Sequence, residues 1–357
     1  MNWEVHKFGG ASVKDAAGVQ NVGRLIAGMM AEGRRLVVVV SAMAKTTNAL
    51  ERVWQALPAE GAAGEECAAV RAFHEAVLEG VGLPWSVLAE DWAAFMDTAA
   101  DLAGLPMSDR SYDAIVGFGE RFSTRIVHAH LNSVGLGAEW WSAWSLVLTD
   151  DQHRTARVQI QRTGEALRRA AQETVASEAG PAVMQGFVGG TSTGVPTTLG
   201  REGSDFSGAL VAEALQASRF VVWKDVPGVM TGDPRRWPAA RRLDHLDHGT
   251  AERMGRAGAG VLHPDTMAPL RRAGIPLEVR CFDDPEALGT VISDAASSAA
   301  LPVLWAFSDD PSGEERVRCL SEDGALALAE WNATCPERPM RAFEYDPEVD
   351  GCFRLIP

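Results

Sequence analysis

The stretch 3-WEVHKFGGASVKDAAGVQNVGRLIAGMMAEGRRLVVVVS-41 decides the fold. Residues 3–8 read as a short strand. Val19, Val22, Ile26 and Met29 recur at helical spacing through 19–31. The run 36-LVVVVS-41 then reads as a strand buried on both faces. Strand, glycine turn, helix, strand is a βαβ unit, which needs a parallel pair and a right-handed crossover. Gly9 and Gly10 fall at the carboxyl end of the first strand, the edge where open α/β sheets bind ligands.

The pattern continues outward from that unit. Residues 42–57 run into a helix, and 67–105 are helical. Ser108 or Asp109 is placed to cap a helix that holds 117-GFGERFSTRIVHAHL-131. Strands are expected at 137–148, an amphipathic helix at 157–173 and a strand at 182-AVMQGF-187. A glycine- and threonine-rich loop, 188–199, follows. The strand 219-RFVVWKD-225 leads into 227-PGVMTGDPRRWP-238, too irregular to be an element. Helices at 248–257 and 264–273 and a strand at 275-IPLEVRCF-282 come next, then a small-residue linker at 294–301. The last ~57 residues offer a strand at 302–307, a helix near 324–332 and a strand at 352–356, too little for a self-sufficient domain.

Bulk properties narrow the function classes. A formal net charge of −15 over 357 residues argues against a general nucleic-acid binder, which needs a basic face. It leaves room for ATP, because a phosphate site needs a few local cations. The five cysteines form no CxxC pair and stand near no histidine cluster, so reduced thiols in the cytoplasm are expected, with no metal site. The apolar run 36–40 is too short to span a bilayer, and the first residues go straight into a strand pattern with no signal peptide.

A second stretch carries the chemistry: 197-TTLGREGSDFSG-208, followed by the helical run ALVAEAL. Gly200 and Gly203 allow a tight turn. Ser204 and Asp205 stand where helix caps stand, and a helix N-terminus suits an anion. Arg201 adds a fork that fits a carboxylate or phosphate, and Asp205 a negative group that could hold an ammonium. One turn could therefore grip both ends of an amino acid. Taken alone, the stretch reads equally well as a capped helix after a glycine turn.

The common nucleotide and hydrolase signatures are missing: no GxxxxGK[ST], no GxGxxG after a strand, no HRD…DFG set, no HExxH, no GxSxG. Five segments appear instead, in fixed order: 7-KFGGASV-13, 41-SAMAKTTNAL-50, 117-GFGERFS-123, 197-TTLGREGSDFS-207 and 223-WKDVPGVMTGDPR-235, with 260-GVLHP-264 behind them. Together they closely resemble the aspartate kinases of the amino acid kinase superfamily, over about residues 1–294.

The resemblance implies a three-layer α/β/α sandwich with a mainly parallel open sheet as the kinase domain, 1–294, and a short, partial ACT-like α+β piece at 301–357. It implies ATP- and Mg2+-dependent phosphorylation of the L-aspartate β-carboxylate, the first step towards lysine, threonine and methionine, in a homodimer. A carboxylate with a pKa of about 3.9 is already ionised at neutral pH, so this chemistry needs no general base. The site must align two anions and neutralise the transferring group. Lys7 and Asp205 are the expected catalytic pair; Ser41, Thr47, Glu120, Phe187, Arg201 and Ser204 the substrate residues. Gly9, Gly10, Lys224, Asp225, Gly228, Met230 and Arg235 are the expected nucleotide residues. No protein ligand is assigned to magnesium, which the ATP phosphates and water would hold.

The chain departs from the family pattern at Ala11, Glu202, Phe206, Lys224, Met230 and Gly260. Gly260 removes a lysine that reaches the nucleotide, and Lys224 could supply the charge instead. Glu202 beside Arg201 could orient the clamp or compete with the substrate for it.

Overall fold

The computed structural model describes residues 2–59, 61, 63–200, 202–237, 239–257, 264–294, 304–309, 315–321, 324–335, 339–346 and 352–356. Arg201, the segment 258–263 with Gly260, and most of the expected linker lie outside the described residues. The chain divides into two compact units, Met1–Asp225 and Val226–Pro357.

In the first unit the elements run β1 (Trp3–Phe8), α1 (Ala16–Ala31), β2 (Arg35–Val40), α2 (Thr46–Ala56), α3 (Gly64–Gly80), α4 (Ala89–Leu102), α5 (Asp109–Val116) and α6 (Phe118–Ser133). They continue with β3 (Glu139–Trp141), α7 (Ala143–Leu146), β4 (Leu148–Thr149), α8 (Ile160–Ala176), β5 (Ala182–Gln185), β6 (Val188–Thr191), β7 (Pro196–Thr198), α9 (Gly203–Leu215) and β8 (Arg219–Lys224). The main sheet orders β3-β5-β2-β1-β8, every pair parallel. Its central strand β1 is buried along its whole length, as are nearly all of β2 and β5. The cause is a helix layer on each face. α1 and α6 pack together against one side, and α8 and α9 together on the other, with α9 against β1, β2 and β8. Parallel strands covered on both faces read as unbroken apolar runs, which is why RLVVVV needs no alternation.

Parallel register brings the carboxyl ends of the strands to one edge. Phe8 stands beside Val40 on one side and Trp223 on the other, and Val40 beside Gln185. Whatever follows Phe8, Val40, Gln185 and Trp223 in sequence is thereby gathered in space.

Two local readings change. The single helix expected from a cap at Ser108 or Asp109 through 131 is two helices: Ser108 caps α5 through a reciprocal pair with Ser111, and α6 starts afresh after Gly117. The break is tight, because a Cβ on Gly117 would lie 3.3 Å from Val188 and 3.4 Å from Trp144. Residues 188–199, expected as a loop, contain the antiparallel hairpin β6–β7, which joins β4 in a second sheet. Its glycines are required by packing: a Cβ on Gly190 would meet the Trp144 carbonyl at 2.2 Å.

The second unit contains β9 (His245–Leu246), α10 (His248–Ala257), α11 (Pro264–Ala273), β10 (Leu277–Cys281) and β11 (Thr290–Ile292). β12 (Leu304–Asp309), β13 (Glu315–Leu320), α12 (Gly324–Thr334), β14 (Ala342–Tyr345) and β15 (Cys352–Ile356) complete it. The small C-terminal α+β piece is richer than strand, helix, strand: four antiparallel strands in the order β12-β13-β15-β14 accompany one helix. β13 escaped the hydropathy pattern because ERVRCL looks charged. Its Arg318 is nevertheless buried, with Nε 2.7 Å from Asp346. The core here is aromatic. Trp237, Trp305 and Trp331 are all about 1% exposed or less, with ring centroids 4.9–5.3 Å apart.

Candidate active site

The carboxyl edge of the first unit's sheet opens on a cavity of about 560 Å³. Five of the expected substrate residues line it: Ser41 after β2, Thr47 in α2, Glu120 in α6, Phe187 after β5 and Ser204 in α9. Gly10, expected at the nucleotide, lines it too. Gly10 is there because nothing larger fits: a Cβ would sit 2.6 Å from the Ala42 carbonyl. The Ala44 N–H donates to the Gly10 carbonyl at 3.0 Å, tying the turn after β1 to the turn after β2.

Beside these residues lies a buried charge cluster. Lys7 Nζ is 2.5 Å from Asp205 Oδ1, and Lys224 Nζ is 3.1 Å from Asp205 Oδ2. Asp205 is 1% exposed and Lys7 7%. Burial alone would raise the Asp205 carboxyl, but the two ammoniums outweigh it and hold the group below the usual carboxylate range. Two ammoniums against one carboxylate leave one net positive charge, poised for an anion. Lys224 therefore joins the same cluster as Lys7. Gly9 sits by it: a Cβ there would lie 3.7 Å from Lys7 Nζ.

The geometry moves the helix cap. α9 starts at Gly203, and its N-cap is Glu202 in the left-handed region at φ +53°, with no side-chain cap. Ser204 and Asp205 lie inside the first turn instead, and both Asp205 oxygens face lysines.

Glu120 is 3% exposed. Its Oε1 accepts from the Ala42 N–H at 3.2 Å, while Oε2 has no hydrogen-bond partner. Burial pushes the carboxyl up to about 8, against the pull of the Ala42 N–H and of Lys7. A buried carboxyl with an unpartnered oxygen on a cavity wall is a receptor for a cation or a hydrogen-bond donor.

Backbone strain gathers at the same place. Among the described residues, Ala44, Arg154, Glu178, Phe187, Glu202 and Gln216 are the non-glycines with positive φ. Four of the six, Ala44, Arg154, Phe187 and Glu202, line the cavity. Such conformations persist where the surroundings over-determine them, and they cluster at functional sites. Phe187, at φ +67°, is held by its N–H to Ser207 Oγ at 3.0 Å and by its carbonyl, which accepts from Leu199.

Sequence reading missed Tyr112, Arg154, Thr155 and Thr198 of the lining. A buried hub places them. Asp113, fully buried, accepts from Thr198 Oγ1 at 2.6 Å and from the Arg154 N–H at 3.0 Å, and lies 2.8 Å from His153 Nδ1. The segment 149-TDDQH-153 carried no motif to flag it.

The remaining nucleotide candidates are placed differently. Asp225 is an exposed bend after β8. Gly228, Met230 and Arg235 belong to the second unit. Gly228, at φ +146°, packs so tightly that a Cβ would meet Thr290 Oγ1 at 2.5 Å. Met230 bridges to Arg242. The Arg235 side chain is 87% exposed and forks onto Asp233 at 2.7 and 3.0 Å. Among the described residues, no group of three or more His, Cys, Asp or Glu side chains could hold a metal, and no helix is long and apolar enough to cross a membrane.

Residues 2–281 match the amino acid kinase family. Lysine-sensitive aspartokinase 3 of Escherichia coli K12 is 34% identical over 300 residues, 83% of this chain and 65% of that one. The aspartokinase of Chlamydia trachomatis serovar D is 30% identical over 353 residues, 99% of this chain and 74% of that one. A crystal structure of E. coli aspartokinase III in complex with aspartate and ADP (R-state) superposes with a TM-score of 0.78 at 30% identity, covering 99% of this chain and 78% of that one. The chain spans between about half and two thirds of the length of several curated relatives, 52% and 65% among them. With a match over most of its length and aspartokinases on both comparisons, the chain belongs to the amino acid kinase family, on its aspartokinase branch.

Proposed function

We propose that this chain is an aspartate kinase, transferring the γ-phosphoryl group of ATP to the β-carboxylate of L-aspartate to give 4-phospho-L-aspartate. The observation that carries the reading is the buried Lys7–Asp205–Lys224 cluster beside a cavity lined by Ser41, Thr47, Glu120, Phe187 and Ser204. The cavity takes the amino acid, and the cluster neutralises the phosphoryl group in transit. Lys7 is the group at the reacting phosphate; Asp205 positions it and Lys224, holding both ammoniums at the strand ends. Gly9 and Gly10 let backbone N–H groups approach the phosphates. The Glu120 oxygen without a partner receives the substrate ammonium, whose positive charge favours the carboxylate, so that the Glu120 proton is released to solvent on binding.

Arg201 is assigned the α-carboxylate by resemblance, and Asp225, Gly228, Met230 and Arg235 the nucleotide. Mg2+ would be held by the ATP phosphates and water and would supply charge neutralisation; no protein ligand is assigned to it. The kinase domain is residues 1–294 and the ACT-like piece 301–357. A cytoplasmic homodimer that uses neither nucleic acid nor membrane, at the first step towards lysine, threonine and methionine, completes the proposal.

Incubation with ATP, Mg2+, hydroxylamine and a panel of amino acids tests it. Aspartyl hydroxamate is the expected product. Hydroxamate from glutamate or N-acetylglutamate alone would move the chain to another substrate, and nucleotide binding without product would make it a non-catalytic subunit.

A further inference from the structure

Arg154 belongs to none of the five segments that carry the resemblance, yet it lines the cavity. It is the one cation among the described lining residues. Its backbone stands at φ +67°, where glycine would be free of strain and an arginine is not. The conformation is held from below: the Arg154 N–H donates to the fully buried Asp113, which also takes Thr198 Oγ1. The guanidinium is held from the side. Its central carbon lies 4.1 Å from the centroid of the Tyr112 ring, itself a cavity residue anchored by its hydroxyl to Glu51 at 2.7 Å.

The guanidinium is built in but lightly engaged. Its carboxylate neighbour is Asp109, 3.5 Å from one terminal nitrogen, with 65% of that side chain exposed. A solvent-facing pair at that distance contributes little, so releasing it costs little. A planar fork, placed over an aromatic ring and carried by a strained but fixed backbone, is a preorganised carboxylate receptor.

We propose that Arg154 is a specificity residue that makes a second contact, beside the one assigned to Arg201 by resemblance, to the substrate carboxylate that is not phosphorylated. It makes a free α-carboxylate a condition of tight binding, so that aspartate is accepted and its α-amide is not. The inference rests on the aspartate kinase reading. Phosphate is a poorer match, because Lys7 and Lys224, which supply positive charge for it, lie outside the cavity lining that Arg154 shares with Glu120 and Ser204.

Calorimetry on the full chain tests this, with L-aspartate, L-aspartic acid α-amide and ATP titrated separately into wild type, Arg154→Gln and Arg154→Gly. A charge-assisted hydrogen bond lost at a half-exposed site weakens aspartate about tenfold. Both variants should show that loss, with binding of the α-amide and of ATP unchanged. Arg154→Gly should keep or raise Tm, since glycine relieves the backbone, so the loss cannot be ascribed to unfolding. Aspartate binding within twofold of wild type overturns the proposal. So does equal weakening of aspartate and α-amide, or a change confined to ATP. The hydroxylamine trap separates the two readings. If wild type binds aspartate but yields no hydroxamate, the kinase assignment fails and the binding comparison still decides Arg154. If wild type binds no aspartate, both fail.

Discussion

The carboxyl edge of the first unit and the tryptophan core of the second are both buried, and they are built on opposite terms. Around Trp237, Trp305 and Trp331 the stability comes from large apolar rings in mutual contact, on ordinary backbone. At the edge, the chain buries Lys7, Asp205 and Glu120, leaves a Glu120 oxygen unpartnered, and holds four non-glycine residues in the left-handed region. A region that keeps charge and strain out of water where apolar residues would fold more readily is being held for a ligand. Substitutions should therefore separate the two regions by their readout, stability in one and turnover in the other.

The largest effect is expected in the aromatic core. Trp331→Ala should destabilise the second unit by about 3–5 kcal/mol, through lost burial and the cavity left behind. Hydrogen exchange of peptides from that unit would register it. Lys7→Ala should lower kcat by about 10²–10³-fold, the usual cost of removing one preorganised charge from a transition state, with a far smaller change in the KM for aspartate. A large rise in that KM at constant kcat would move Lys7 from the phosphoryl half of the site to the amino-acid half.

Glu120 gives a pH signature that the tryptophan core lacks. Its carboxyl titrates near 8 when folded and near its ordinary value of 4.5 when unfolded. Between those values the folded chain binds the extra proton, so this group's contribution to stability falls as pH rises from about 4.5 to 8. Glu120→Gln removes the titration. Its stability relative to wild type should climb across that window, by at most about 1.4 kcal/mol per pH unit, as measured by urea unfolding at several pH values. A constant difference would mean that the carboxyl is ionised in the empty site.

The smallest effect concerns strain. Glu202→Gly should stabilise the first unit by about 1 kcal/mol, because glycine occupies the left-handed region freely. Gln216→Gly, at φ +48° but outside the cavity, should give a similar gain. Only the Glu202 change should alter aspartate kinetics; identical kinetics in both variants would remove Glu202 from the site.

What the sequence revealed follows the same divide. The parallel sheet was legible because strands buried on both faces, such as RLVVVV and RFVVWK, leave unbroken apolar runs. The hairpin at 188–198 was hidden because its glycines, demanded by the carbonyls of Val147 and Trp144, look like loop residues. β14 was hidden because all four of its side chains face solvent. Five of the expected substrate residues meet at one cavity because segments separated in sequence end at one sheet edge. Arg154 and Tyr112 were invisible for a physical reason: the Asp113 hub that places them, and the left-handed backbone at Arg154, leave no mark on composition or periodicity. The partnership of Lys224 with Asp205 likewise needed β8 and α9 to be seen side by side.

The most direct measurement is 31P NMR of the wild-type chain with ATP, Mg2+ and L-aspartate. An acyl-phosphate resonance is expected that grows in step with ADP and vanishes when aspartate is omitted. ADP without acyl phosphate, or neither product while aspartate and ATP both bind, would contradict it.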